Sequence, residues 1–188
     1  MLRSAADRSP IRAVVRFFQL EWLCRMKSAS GWRELLQAQG IPVTNPTVSA
    51  LSESKRFPLS FHNSSAFPTW QQLFPESRDP RAVGPTEWDD WVLKEAYSNA
   101  GDAVYICATY SNNDRRKLVE RALREPLKWV AQRRFETLTV EAESGVLLPC
   151  VGVYVVDGKA AGAYVRLSVG PVTNGAAKEA PLLIEQSS

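Results

Sequence analysis

Lys94 ends the apolar run Trp91-Val92-Leu93. Four residues later comes Ser98-Asn99-Ala100-Gly101-Asp102, a turn of small residues leading into a second β-rich run, Ala103 to Ala108. A strand, a turn and a strand in this order can fold over a phosphate chain. Backbone N–H groups donate, glycine permits close approach, and lysine supplies a point charge. A plain hairpin with a surface lysine fits the same residues, because one glycine is a weak motif. Lys55, beside Ser52 and Ser54 at the predicted start of a helix, puts a cation and the positive end of a helix dipole on one side, which suits an anion. An exposed lysine that serves solubility is the alternative. Gln132-Arg133-Arg134-Phe135-Glu136 interleaves charge and apolarity at a strand end, as the edge of a cleft or as a sheet with one wet face. Arg166, in the middle of Tyr164-Val165-Arg166-Leu167-Ser168, is either paired with an acid or aimed into a cleft.

Other chemistries find little material. With a single histidine, His62, a Ser-His-Asp hydrolase has a thin basis, and zinc has almost no ligands. The cysteines, Cys24, Cys107 and Cys150, lie far apart and read as reduced thiols, which favours a cytoplasmic setting. The balance of 23 Lys and Arg against 20 Asp and Glu, net +3, is too mild to demand nucleic acid or an anionic membrane. Arg115-Arg116-Lys117 and Arg133-Arg134 have Glu120, Glu125 and Glu136 nearby, so they read as solvated faces. No apolar run nears the roughly 20 residues that span a bilayer, and Met1-Leu2-Arg3-Ser4 lacks the apolar core of a secretory signal. The 45% hydrophobic and 23% charged content across 188 residues is that of an ordinary globular chain.

The elements that must carry these residues are predicted from pattern. Ser9-Pro10 reads as a helix start, and Ile11, Val14, Val15, Phe18 and Trp22 recur at helical spacing, which predicts a helix from Pro10 to Met26. A shorter helix, Trp32 to Gln39, closes on Gly40, and Trp70 to Phe74 forms another before Pro75. Pro75 to Pro85 has no periodicity and marks a boundary between a helical N-terminal lobe, residues 1–85, and an α+β part, residues 86–188. There Trp91 to Lys94 is a strand, Ser111 to Asn113 cap a helix that runs to Arg124, and Trp129 to Phe135 is a strand. Cys150 to Val156 and Lys159 to Ser168 pair across Asp157-Gly158, a two-residue hairpin signal. The fold class is α+β: N-terminal helices, then a mainly antiparallel sheet with packed helices.

Taken in order, four of these segments resemble one known pattern. Leu51-Ser52-Glu53-Ser54-Lys55-Arg56-Phe57-Pro58-Leu59 looks like the SK-containing helix start of circularly permuted ATP-grasp proteins, the group that includes the synthetase domain of glutathionylspermidine synthases. Val92-Leu93-Lys94-Glu95 with Ser98 to Val104 is similar to that family's strand lysine and phosphate loop. Trp129 to Phe135 resembles its adenine-side hinge strand. Gly152 to Ser168, with Val172-Thr173-Asn174 after it, is similar to its closing hairpin. The resemblance runs from about Ile11 to Ile184. It implies an ATP-grasp-like fold in which ATP lies between two lobes, a carboxylate is phosphorylated, and an amine attacks to give an amide. By the same resemblance Lys55 and Lys94 contact the phosphates, Asn99, Ala100 and Gly101 form the covering loop, and Gln132 and Phe135 lie along adenine and ribose.

The family's acidic metal segments, Arg-x-Asp and Glu-x-Asn, have no counterpart before Asn45. The resemblance therefore implies an incomplete ATP-grasp region: the C-terminal portion of a longer protein, with magnesium ligands outside this chain or on a second chain. A non-catalytic interaction module derived from the same scaffold is the alternative.

Overall fold

The structure, a computed structural model, describes residues 3–4, 6–16, 18–19, 22, 26–27, 30–37, 40–61, 66–143 and 145–183. The chain divides into two compact units, Met1–Phe67 and Pro68–Ser188.

In the first unit the helix predicted from Pro10 is not formed over residues 10–16. Pro10 bridges Arg3 in antiparallel fashion, and Val14 bridges Val43 in parallel. The Val14 N–H donates to the Pro42 carbonyl at 2.9 Å, and Thr44 N–H donates to the Val14 carbonyl at 3.0 Å. Helical spacing lost to a tertiary partner here because Ile11, Val14 and Val15 are β-branched, stiff in a helix and at ease in an extended chain. Much of the remaining expectation, residues 17, 20–21 and 23–25, lies outside the described residues, as do His62 and Cys24. Helix α1 (Trp32–Gln37) follows Gly31, with Gly40 beyond it at φ 75°.

The predicted helix at Ser52 is also displaced. Helix α2 covers Ser49–Glu53, then Ser54 turns extended, at φ −72° and ψ 129°, and a 3-10 helix spans Phe57–Phe61. Pro58 and the Ser54 hydroxyl, which accepts from the Arg56 N–H at 3.2 Å, both favour a break at this point. Lys55 consequently follows the carbonyl end of α2 rather than leading a helix.

In the second unit helix α3 (Pro68–Leu73) precedes strand β1 (Ser77–Arg78). The segment expected as an aperiodic boundary therefore contributes a strand. β1 joins β2 (Trp91–Glu95), β3 (Val104–Ile106) and β4 (Trp129–Arg133) in a four-stranded antiparallel sheet of order β1-β4-β2-β3. Between β3 and β4 runs helix α4 (Asn112–Arg124), its Ser111 hydroxyl accepting from the Asp114 N–H at 3.2 Å as a side-chain cap.

Strand alternation splits this first sheet into two faces. Register sets Leu93 opposite Ala131 and Glu95 opposite Trp129 on one of them. Trp91, Leu93, Trp129 and Ala131 pack against Leu118, Val119 and Ala122 of α4, and Cys107, Trp88 and Val83 complete the core. Burial strips water from the Cys107 thiol and pushes it up to about 11. The other face carries Val92, Lys94, Val104, Ile106 and Gln132.

The second sheet, order β5-β6-β7-β8, contains β5 (Val140–Ala142), β6 (Gly145–Val156), β7 (Lys159–Ser168) and β8 (Lys178–Pro181). One antiparallel sheet was expected from the sequence, and the strands form two. Asp157 and Gly158 both take left-handed backbone, φ 49° and 75°, as the expected two-residue turn requires.

Candidate functional site

Between the open face of the first sheet and the start of the second lies a cavity of about 340 Å³. Val92, Lys94, Val104 and Ile106 line it from β2 and β3, and Gln132 from β4. Arg134, Phe135, Glu136 and Thr137 line it from the segment leaving β4, while Leu148 of β6 and Pro171-Val172 close the opposite side. Strand geometry explains the membership. Residues 92 and 94 point away from the α4 core because 91 and 93 point into it.

Lys94 Nζ donates to Gln132 Oε1 at 2.5 Å. That hydrogen bond ties together two of the residues singled out from the sequence and holds the ammonium on the cavity wall. The neighbouring basic pair separates. Arg133 lies on the Trp91 side, its guanidinium 4.6 Å from that ring centroid and within 3.3 Å of Asp90 and 3.4 Å of Glu76. Arg134 lines the cavity instead. Phe135, 59% exposed, adds a flat apolar face at the rim.

The turn after β2 sits against the same rim. Ala100, Gly101 and Ala103 all have left-handed backbone, at φ 48°, 76° and 51°, and the Asp102 N–H donates to the Asn99 carbonyl at 2.8 Å. A Cβ on Gly101 would lie 2.4 Å from the Thr173 carbonyl oxygen and 2.9 Å from Val172 Cγ1. Glycine is required twice over, for its φ and for this close approach. Gly101 thus lies beside Val172, a lining residue, while Asn99, Ala100 and Gly101 are not themselves among the residues lining the cavity.

Arg166 stands in β7 opposite Cys150 and Glu179. Its Nε is buried with no hydrogen-bond partner. It shares a period-two row with Ser168, and across the β6 register with Leu148, a lining residue. Lys55 belongs to the first unit, half-buried in the turn between α2 and the 3-10 helix. Nearby, Arg16 is buried and donates to Glu53 Oε1 at 2.8 Å, Ser49 Oγ at 2.7 Å and the Asn45 carbonyl at 2.9 Å.

Ile106, Thr109, Thr137, Leu148 and Pro171 escaped the sequence reading as site residues. They come from strand ends and loops with no polar motif, and only the pairing of strands brings them together. Among the described residues no group of three or more His, Cys, Asp and Glu side chains is placed to hold a metal ion. Glu136 is the one carboxylate among the residues lining the cavity, where magnesium commonly takes one or two together with substrate phosphates and water.

A cleft between two antiparallel sheets, with a strand lysine and a glycine turn on its rim, makes this an α+β protein consistent with an ATP-grasp-like fold. The chain belongs to the glutathionylspermidine synthase preATP-grasp family, which matches residues 3–185, and is thereby related to glutathionylspermidine synthase-like ligases. No curated protein matches it. Among the described residues no helix is long and apolar enough to cross a membrane.

Proposed function

We propose that the cavity between the two sheets is a nucleotide site, and that the chain is the ATP-binding part of a carbon–nitrogen ligase. The observation that carries this reading is the Lys94–Gln132 pair on the wall of a cavity whose volume lies in the range of small-molecule sites. Lys94 places its ammonium against phosphate oxygens, Gln132 fixes that ammonium, and Phe135 offers a face to a purine ring. Asn99, Ala100 and Gly101 cover the phosphates from the rim. Arg166 supplies a guanidinium further along the β7 row.

Bound ATP supplies the phosphoryl group in this chemistry. A carboxylate oxygen of the acid substrate takes the γ-phosphorus as ADP leaves. An amine nitrogen then bonds to the carbonyl carbon as phosphate leaves, giving an amide. The positions assigned here correspond to the C-terminal portion of a circularly permuted ATP-grasp region. Residues 1–85 and 86–188 act as its two parts, in the cytoplasm and without nucleic acid. Magnesium ligands come from a segment or second chain beyond the described residues, and no step is assigned to the metal here.

Calorimetric titration of the full chain with a non-hydrolysable ATP analogue tests this reading. Saturable heat is expected, with affinity falling tenfold or more in Lys94→Ala, the size of a lost charge-assisted hydrogen bond. Absence of heat, or equal affinity in Lys94→Ala, overturns it.

A second reading is favoured by exposed apolar surface. Val151, Val153 and Val155 of β6 are each more than half exposed, as is Val15 in the first unit. Such rows suit a non-catalytic module that binds a partner. Light scattering that shows a monomer at all concentrations argues against it.

A further inference from the structure

The outer strands of the two sheets differ in how they meet water. In the first sheet the edges are β1 and β3, only two and three residues long. In the second, β8 is four residues long and carries Lys178, Glu179 and Pro181, the charges and proline that discourage a further strand. The opposite edge begins with β5, three residues with Glu141 at the centre, which pairs only with residues 145–147 of β6. From Leu148 to Val156, β6 therefore has β7 on one side and, among the described residues, no strand on the other. Nor does any described loop backbone hydrogen-bond to that stretch.

Nothing in the composition of β6 protects this long edge. Gly145–Val156 contains no charged residue. Pro149, without an N–H, stands where sheets tolerate proline, on an outer strand, and leaves Cys150 to Val156 able both to donate and to accept. Val151, Val153 and Val155 alternate onto one face and are 54%, 56% and 65% exposed. The register shift with β7 falls between Tyr154 and Val155, which pair with Gly162 and Ala160. The extra residue is Ala161 of β7, so β6 itself runs on without interruption. An apolar strand with an open row of backbone donors and acceptors is a template for another strand.

We propose that β6 pairs antiparallel with β6 of a second copy of this chain, joining the two sheets edge to edge. The strand itself argues for that occupant. A two-fold axis at Gly152 sets Val151 opposite Val153 of the other copy. An axis at Val153 sets Val151 opposite Val155 and Val153 opposite itself. In both registers the valine row of one copy meets that of the other on a common face, and no charge meets its like. Because each chain offers one such edge, a two-fold pair uses both and closes, while the charged β8 keeps the sheet from growing further. The pairing does not rest on the nucleotide reading. It serves a ligase or a non-catalytic module alike, and for the latter it names the partner.

Sedimentation equilibrium of the full chain, across a wide range of concentration and without nucleotide, tests the proposal. A monomer–dimer equilibrium with no larger species is expected. Val153→Lys should weaken it about tenfold or more, because the axis brings the two lysines opposite or diagonal to one another. Val155→Lys, on the same row, should act alike, and both positions are exposed enough to leave the fold intact. Leu127→Lys, at an exposed apolar residue outside β6, should leave the equilibrium unchanged. Amide exchange locates the contact: slowing at residues 150–156 should grow with concentration and be absent in Val153→Lys. A monomer at every concentration, a dimer indifferent to both β6 lysines, or open-ended assemblies overturn the proposal. So does slowing at 150–156 that ignores concentration, since the chain then covers its own edge. With nucleotide absent throughout, failure of the cavity to bind ATP leaves this result untouched.

Discussion

The two units of this chain are organised by different forces. Among the described residues, the second unit's buried side chains are apolar or aromatic, from Val83 through Trp91, Leu93 and Trp129 to Ala131, apart from Ser77 and Ser168. In the first unit, among the residues whose side chains are described, the buried one is an arginine, Arg16, at 3% exposure. Its guanidinium reaches Glu53, Ser49 and two backbone carbonyls, Asn45 and Phe18, and its own N–H donates to Thr44 Oγ1 at 2.8 Å. A hydrophobic core is non-directional and tolerates repacking, whereas a buried cation holds only while its acceptors keep their places. The difference teaches where each unit is fragile. It also accounts for where the helical pattern misled: residues 10–16 are positioned by hydrogen bonds to 42–45, not by an apolar helix face.

Removing a piece of each organiser sharpens this contrast. Leu93→Ala, at a fully buried position in β2, should cost about 3–4 kcal/mol by urea denaturation, with hydrogen exchange accelerated throughout β2, β4 and α4. Unchanged protection there would mean that the sheet is not the second unit's core. Arg16→Ala should cost about 2–3 kcal/mol and release exchange protection across residues 44–53, because Glu53 and Ser49 lose their shared partner. Arg16→Lys should restore only part of it, since one ammonium cannot reproduce the guanidinium fork. Full rescue by lysine would show that charge alone suffices.

Smaller effects probe the turn and the core thiol. Gly101→Ala must place a Cβ against the Thr173 carbonyl at positive φ, and should cost about 1–3 kcal/mol. The same change should weaken nucleotide binding if the turn covers the phosphates. Cys107 in the unfolded chain ionises near its ordinary 9.0, while the folded thiol holds its proton to about 11. The unfolded state therefore loses a proton that the folded state keeps. The contribution is whole below pH 9 and drains away as pH rises from 9 to 11. Urea midpoints at pH 8 and pH 10.5 check the sign: the loss between them should be smaller in Cys107→Ala than in the parent.

Legibility in the sequence followed the range of the interactions involved. The Asp157-Gly158 hairpin, the Ser111 cap and the β2 and β4 strands were readable because turn chemistry, capping and short apolar runs are local. Lys94 and Gln132 were readable as candidates, but not their hydrogen bond, which depends on strands 38 residues apart pairing side by side. The short strands β1, β5 and β8 were missed. Ser77-Arg78 and Lys178 to Pro181 carry no alternation, and β5 is exposed on every residue, so each exists only through its neighbour. Lys55 was placed at a helix start by its serines, and Pro58 with the Ser54 turn moved the break ahead of it.

The central claim is that a nucleotide enters the cavity between the two sheets of the second unit. Hydrogen exchange of the full chain, with and without a non-hydrolysable ATP analogue, tests it at residue level. The account predicts slowed exchange at residues 92–94, 99–103 and 132–137, and loss of that slowing in Lys94→Ala. Slowed exchange confined to other segments, or none at saturating nucleotide, would contradict it.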